Sequence, residues 1–174
     1  MKTLFSCTLI FLFANCFAQQ EGSYIITLEG EKIIIADDKA EMSEDHISFN
    51  SVDKKNQYMK QSNIQLLVLG KRQFERLPIY GGDKGMRLQE LIATGENYKL
   101  TLYWDDGLYY YIFDKNNKQV TDKINYHNKK SEVELKSTVE KYFKDCKNLI
   151  RVMEENKANG EDLFTDVYNL QCEQ

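Results

Sequence analysis

Between residue 24 and about residue 124, apolar residues alternate with polar ones or gather in short runs between turn residues, the pattern of an antiparallel sheet. Residues 24–28 and 31–35 flank Glu29-Gly30, which predicts a hairpin whose tight turn uses the positive φ open to Gly30. Further strands are expected over residues 46–50, 57–60, 64–69, 72–77 and 86–94, with Pro78, the only proline, ending its strand. The clearest unit runs from 98 to 113, where Asp105-Asp106-Gly107 reverses the chain between two aromatic-rich strands. A three-residue turn with Gly107 in the left-handed conformation sets Trp104 opposite Leu108. Leu100, Leu102, Trp104, Leu108, Tyr110 and Ile112 then share one face. Lys99, Thr101, Tyr103, Tyr109, Tyr111 and Phe113 share the other, and a slip of one residue would mix the two sets.

After Asn128 the apolar period lengthens from two to about three and a half. Leu135, Val139, Tyr142, Cys146, Leu149 and Met153 lie along one helical stripe. Ser131 with Glu134 forms a capping box near the expected start of the first helix. Asn159-Gly160 interrupts the pattern, and Leu163, Val167 and Leu170 predict a last short helix ending at Cys172. The fold class that follows is α+β: a curved antiparallel sheet or half-open barrel, then two or three C-terminal helices packed on it.

Residues 1–18 carry the marks of a secretory signal peptide. Lys2 is the charged start, 3–14 the apolar run, and Cys16 and Ala18 the small residues before a cut at Gln19. The run falls short of the roughly 20 apolar residues that cross a bilayer, so the reading is a discarded leader and a mature chain without a transmembrane segment. A lipoprotein acylated at Cys16, after Phe13-Ala14-Asn15, is the competing export route; Asn15 is larger than the residue that normally precedes a lipidated cysteine. The organisation expected is thus a leader over 1–18, a β-rich module over 19–128 and a helical module over 129–174.

Export changes the reading of the cysteines. The leader removes two of the four and leaves Cys146 and Cys172, an even pair expected to be bonded in an oxidising compartment. Losing Lys2 takes the formal charge from −4 to −5, with both signs scattered along the chain. There is no basic stripe of the kind that neutralises phosphates, so nucleic acid is not an expected partner.

Candidate chemistry is sparse. His46 and His127 lie far apart, with no carboxylate or cysteine at ligand spacing around either. Gly81-Gly82-Asp83-Lys84-Gly85 lacks the spacing of a phosphate loop and reads as a connection between strands. Asp105, Asp106 and Asp114 offer hard oxygen ligands without the spacing of a calcium loop. No catalytic, cofactor-binding or metal residue is assigned. The tyrosine row of Tyr103, Tyr109, Tyr111 and Phe113 is the possible binding face, since aromatic faces stack on sugars and anchor protein contacts. The competing reading is core, with the helical stripe of the C-terminal third laid over that same face.

Several ordered features carry a family likeness: Ala18-Gln19, residues 22–28 followed by Gly30, residues 100–103, and Tyr109-Tyr110-Tyr111. The ending Tyr142-Phe143-Lys144-Asp145-Cys146 with Tyr168-Asn169 and Cys172 completes the set. In these the chain resembles a group of uncharacterised exported proteins from Bacteroidota, built as a β-rich module followed by a small helical one. Some relatives place the module before an outer-membrane β-barrel. The resemblance implies an envelope location and supplies no catalytic residue. The function expected is therefore a non-enzymatic envelope or secreted binding module that contacts a protein or glycan. The alternative is a hydrolase acting on cell-wall or extracellular glycans through paired carboxylates, which requires two carboxyl groups about 5 to 10 Å apart.

Overall fold

The computed structural model describes residues 22–79, 85–104, 107–126 and 129–172. The strands are β1 (Tyr24–Thr27), β2 (Lys32–Met42), β3 (His46–Ser51), β4 (Gln57–Lys60), β5 (Ile64–Leu69), β6 (Arg72–Pro78), β7 (Met86–Thr94), β8 (Tyr98–Trp104), β9 (Leu108–Asp114), β10 (Ile124–Asn125) and β11 (Leu170–Gln171). Helices α1 (Lys129–Tyr142) and α2 (Lys147–Ala158) lie between β10 and β11. The strand order is β10-β9-β8-β7-β6-β5-β1-β2-β3-β4, an α+β fold whose antiparallel sheet is not closed, with β11 added in parallel to β7.

Most of the expected strands form within a residue or two of their predicted bounds. The first hairpin turns through Gly30 at φ +84°, with Ile25 paired to Ile33. Pro78 is the last residue of β6, where its missing N–H costs the sheet little. In the β8–β9 hairpin Trp104 pairs with Leu108, Leu102 with Tyr110 and Leu100 with Ile112, the register that separates the two faces.

Strand β2 runs seven residues past its expected end because it bends rather than stops. Asp37 and Asp38 take positive φ, and the pairing with β3 slips between Ile35 and Ala40. The Ser23 amide donates to Asp38 Oδ1 at 2.8 Å, which holds the bend against β1. Beyond it, β2, β3 and β4 form a flap. Ile47 and Phe49 of the flap pack on Leu67, Phe74 and Leu88 of the main sheet, with Ile25, Ile35 and Ile64 completing one core.

The second core lies on the same face of the sheet, farther along. The α1–α2 pair buries Leu135, Val139, Leu149 and Met153 against Leu100, Tyr110, Ile112 and Ile124. Lys136 to Glu154 at 2.5 Å and Lys157 to Glu132 link the two helices at the surface. The stripe expected from the sequence is real, but its placement over the tyrosine row is corrected: the helices cover the opposite face. That face is wholly apolar along Leu100, Leu102, Tyr110 and Ile112, whereas the tyrosine face also carries Lys99 and Thr101. Burying the helices there removes more apolar surface from water. Helix α1 begins two residues before Ser131.

The expected last helix is absent, a second correction. Residues 161–169 form an irregular turn that buries Leu163, Phe164 and Val167, and Asp166 and Asn169 sit at positive φ. Leu170 belongs to β11. The pairing of β6 with β7 reaches only to Phe74 opposite Glu90, so β7 beyond that point needs backbone partners. The tail supplies them: the Asn169 amide donates to the Leu91 carbonyl and the Cys172 amide to that of Thr94. Cys146 and Cys172 are bonded, as the sequence predicts, with Cα atoms 4.8 Å apart.

Candidate functional site

On the flap-bearing face of the sheet a cleft of about 660 Å³ opens between the flap and strands β6, β7 and β8. Its floor is strand face: Arg72 and Phe74 of β6, Leu88 and Glu90 of β7, Leu102 of β8. Its far wall is the flap, through Ala40, Met42, Ser43 and Glu44, fixed by the Gln61 amide donating to the Ser43 carbonyl at 2.6 Å. Trp104 stands at the near rim. It ends β8 beyond the reach of the helices and is 72% exposed although it shares the face of Leu100 and Leu102.

Register brings a carboxylate into the middle of this apolar floor. Leu67, Phe74, Glu90, Leu102, Tyr110 and Ile124 are successive cross-strand partners from β5 to β10. Glu90 is therefore flanked by Phe74 and Leu102, and it is only 6% exposed. A carboxylate in such a place needs a partner. Half-exposed Arg72 provides it, donating from Nε to Oε1 and from Nη2 to Oε2, both at 2.7 Å. The guanidinium is steadied by the Phe74 ring, 4.9 Å from its centroid. The hydrogen bonds and charge of Glu90 push the Arg72 pKa further up, so the guanidinium stays charged.

No family model, curated protein or solved structure matches the chain.

The structure disperses the residues singled out from the sequence. Tyr109, Tyr111 and Phe113 are buried in a cluster with Leu77 and Ile79 on the opposite face of the sheet, and half-buried Tyr103 packs against that cluster and also lines the cleft. Thr101 donates to Gln89 Oε1 at 2.8 Å beside them, while Gln89 Nε2 is buried without a hydrogen-bond partner. His46 begins β3 and lines a smaller recess of about 260 Å³ next to the cleft. Asp114 caps the turn after β9, its Oδ1 accepting from the Asn116 and Lys118 amides. Asp105, Asp106, His127 and residues 81–84 lie outside the described residues, as does the leader. Among the described residues no three His, Cys, Asp or Glu side chains form a group that could hold a metal ion. Arg72 and Glu90 were missed from sequence. The available signal was Glu90 itself, a charge between Leu88 and Ile92 on the core-facing parity of a strand.

The buried phenols give the fold a measurable alkaline limit. Burial, with Tyr103 and Tyr109 nearby, pushes Tyr111 up to about 12, and burial raises Tyr110 as well. The folded protein keeps these protons where an unfolded phenol, near 10, has lost its own. The stability they carry is therefore intact below pH 10 and is lost as pH rises toward about 12. Absorbance titration should show part of the phenolate signal delayed until circular dichroism reports unfolding. A single unperturbed transition in a still-folded protein would contradict the burial of this row.

Proposed function

We propose that the protein is an exported, non-enzymatic binding module of the cell envelope or its surroundings, and that it takes a glycan in the Trp104 cleft. The observation that carries the reading is Trp104, the largest apolar side chain of the protein, held 72% exposed at the rim of a cleft whose apolar floor carries the Arg72–Glu90 pair. An indole face packs on the C–H face of a pyranose ring, while fixed charged and amide groups meet its hydroxyls. Export rests on residues 1–18, and a disulfide together with the absence of any membrane-spanning helix among the described residues is compatible with it. The likeness to exported Bacteroidota proteins points the same way.

Trp104 is the only tryptophan, so its fluorescence reports directly on the cleft. Titration with soluble oligosaccharides is expected to shift its emission saturably for at least one neutral glycan. Trp104→Ala should abolish binding of that glycan by calorimetry and leave the melting temperature within about 2 °C, since an exposed side chain contributes little to the fold. No response across a broad panel, or undiminished binding by the variant, contradicts the reading.

The hydrolase alternative has two carboxylates in the same cleft, Glu44 and Glu90. Both oxygens of Glu90 are already held by Arg72, which leaves it poorly placed to transfer a proton. Appearance of shortened products from a bound oligosaccharide would move the assignment to that alternative.

A further inference from the structure

We infer that the Arg72–Glu90 pair makes the cleft selective for uncharged sugar units over acidic ones; this rests on the glycan reading above. A guanidinium has five N–H donors, and a two-pronged contact with one carboxylate uses two. Arg72 is half exposed on the floor, so its outer donors face whatever enters. An isolated arginine there would favour a uronate, sulfate or phosphate. Here Glu90 cancels the charge at 2.7 Å while leaving the direction of the donors fixed. Arg72 is also the only cation among the described residues lining the cleft, against two carboxylates, Glu90 below and exposed Glu44 on the opposite wall. The local charge balance is negative, and an anionic ligand meets net repulsion. Hydroxyl and ring oxygens can use the same donors without that penalty.

The pair also fixes orientation. The planar guanidinium is clamped along one edge by Glu90 and over one face by Phe74, so its donors point in set directions without side-chain ordering on binding. Trp104 supplies a stacking surface at the rim, and the floor pair supplies polar contacts below it. A ligand must therefore offer an apolar ring face and, on another side, hydroxyl groups.

The test uses Trp104 fluorescence and calorimetry with two groups of probes. One is neutral oligosaccharides, namely cello-, manno-, xylo-, laminari- and chito-oligomers. The other is acidic, namely oligogalacturonate, alginate and hyaluronan oligomers. The native protein is expected to bind its best neutral probe at least about tenfold more tightly than any acidic one. Glu90→Gln, which keeps the shape and uncovers the Arg72 charge, should shift that ratio toward acidic probes by about tenfold. Glu44→Gln, at an exposed position that does not bear on folding, should shift it the same way by a smaller factor. Preference of the native protein for acidic probes overturns the inference while leaving the glycan reading intact, and so does an unchanged ratio in both variants. Binding of neither group overturns the glycan reading itself.

Discussion

Reduction of the Cys146–Cys172 bond, or its replacement by two alanines, is expected to lower the unfolding free energy by about 3 to 4 kcal/mol. The bond closes a loop with 26 residues of sequence separation, and chain entropy alone gives about 3.5 kcal/mol for a loop of that size. The structure adds where the loss should appear. The tail after α2 has no regular helix to hold it, and its place depends on β11 beside β7, the Asn148 side chain donating to the Gln171 carbonyl at 2.8 Å, and the bond itself. Hydrogen exchange should therefore rise first at the amides of Asn169 and Cys172, which donate to β7. Denaturant unfolding with and without reductant, followed by exchange, measures both effects. Equal midpoints would show that the tail is held by its packing alone.

Arg72→Ala is expected to cost about 2 to 3 kcal/mol, more than the deletion of a half-exposed arginine normally does. Removing one member of a buried ion pair strands the other, with penalties of about 3 to 5 kcal/mol when both are enclosed; the exposure of Arg72 to solvent brings the figure down. The penalty falls on Glu90, left 6% exposed between Phe74 and Leu102. Adding Glu90→Leu should restore most of the lost stability, because leucine completes the apolar row across the sheet. Such a double variant would be stable and unable to bind, whereas Trp104→Ala is stable because its site lies outside the core. Chemical denaturation of the two single variants and the double provides the coupling. If the double variant is no more stable than Arg72→Ala, the burial of Glu90 is not what the pair compensates.

The sheet was legible where side chains alternate cleanly. The β8–β9 register followed from keeping Leu100, Leu102, Tyr110 and Ile112 together, and the disulfide from two cysteines surviving the expected cut. Features set by long-range backbone needs were not legible. Nothing local in Leu163, Val167 and Leu170 says that they line an irregular segment rather than a helix; the cause is the open edge of β7 beyond β6. The bend at Asp37-Asp38 is similar, two polar residues whose positive φ turns one strand into two differently paired halves. The helices chose the less polar face of the hairpin, a decision that compares two surfaces and is invisible along either strand alone. The cleft follows from the bend, since it lies between the flap that the bend makes and strands β6 to β8. Its chemistry depends on Arg72 and Glu90, 18 residues apart in sequence and joined only by sheet register.

The most direct test of the account is the indole N–H of Trp104 in an amide correlation spectrum of isotope-labelled protein. It is a single resonance, because the chain has one tryptophan. Addition of the best-bound neutral oligosaccharide is predicted to move it saturably, together with amides of the cleft floor at Arg72, Glu90 and Leu102 and of the flap at Met42 and Glu44. A binding glycan that leaves these signals in place, and instead moves those of Tyr109, Tyr111 and Phe113, would put the site on the opposite face of the sheet and contradict the account.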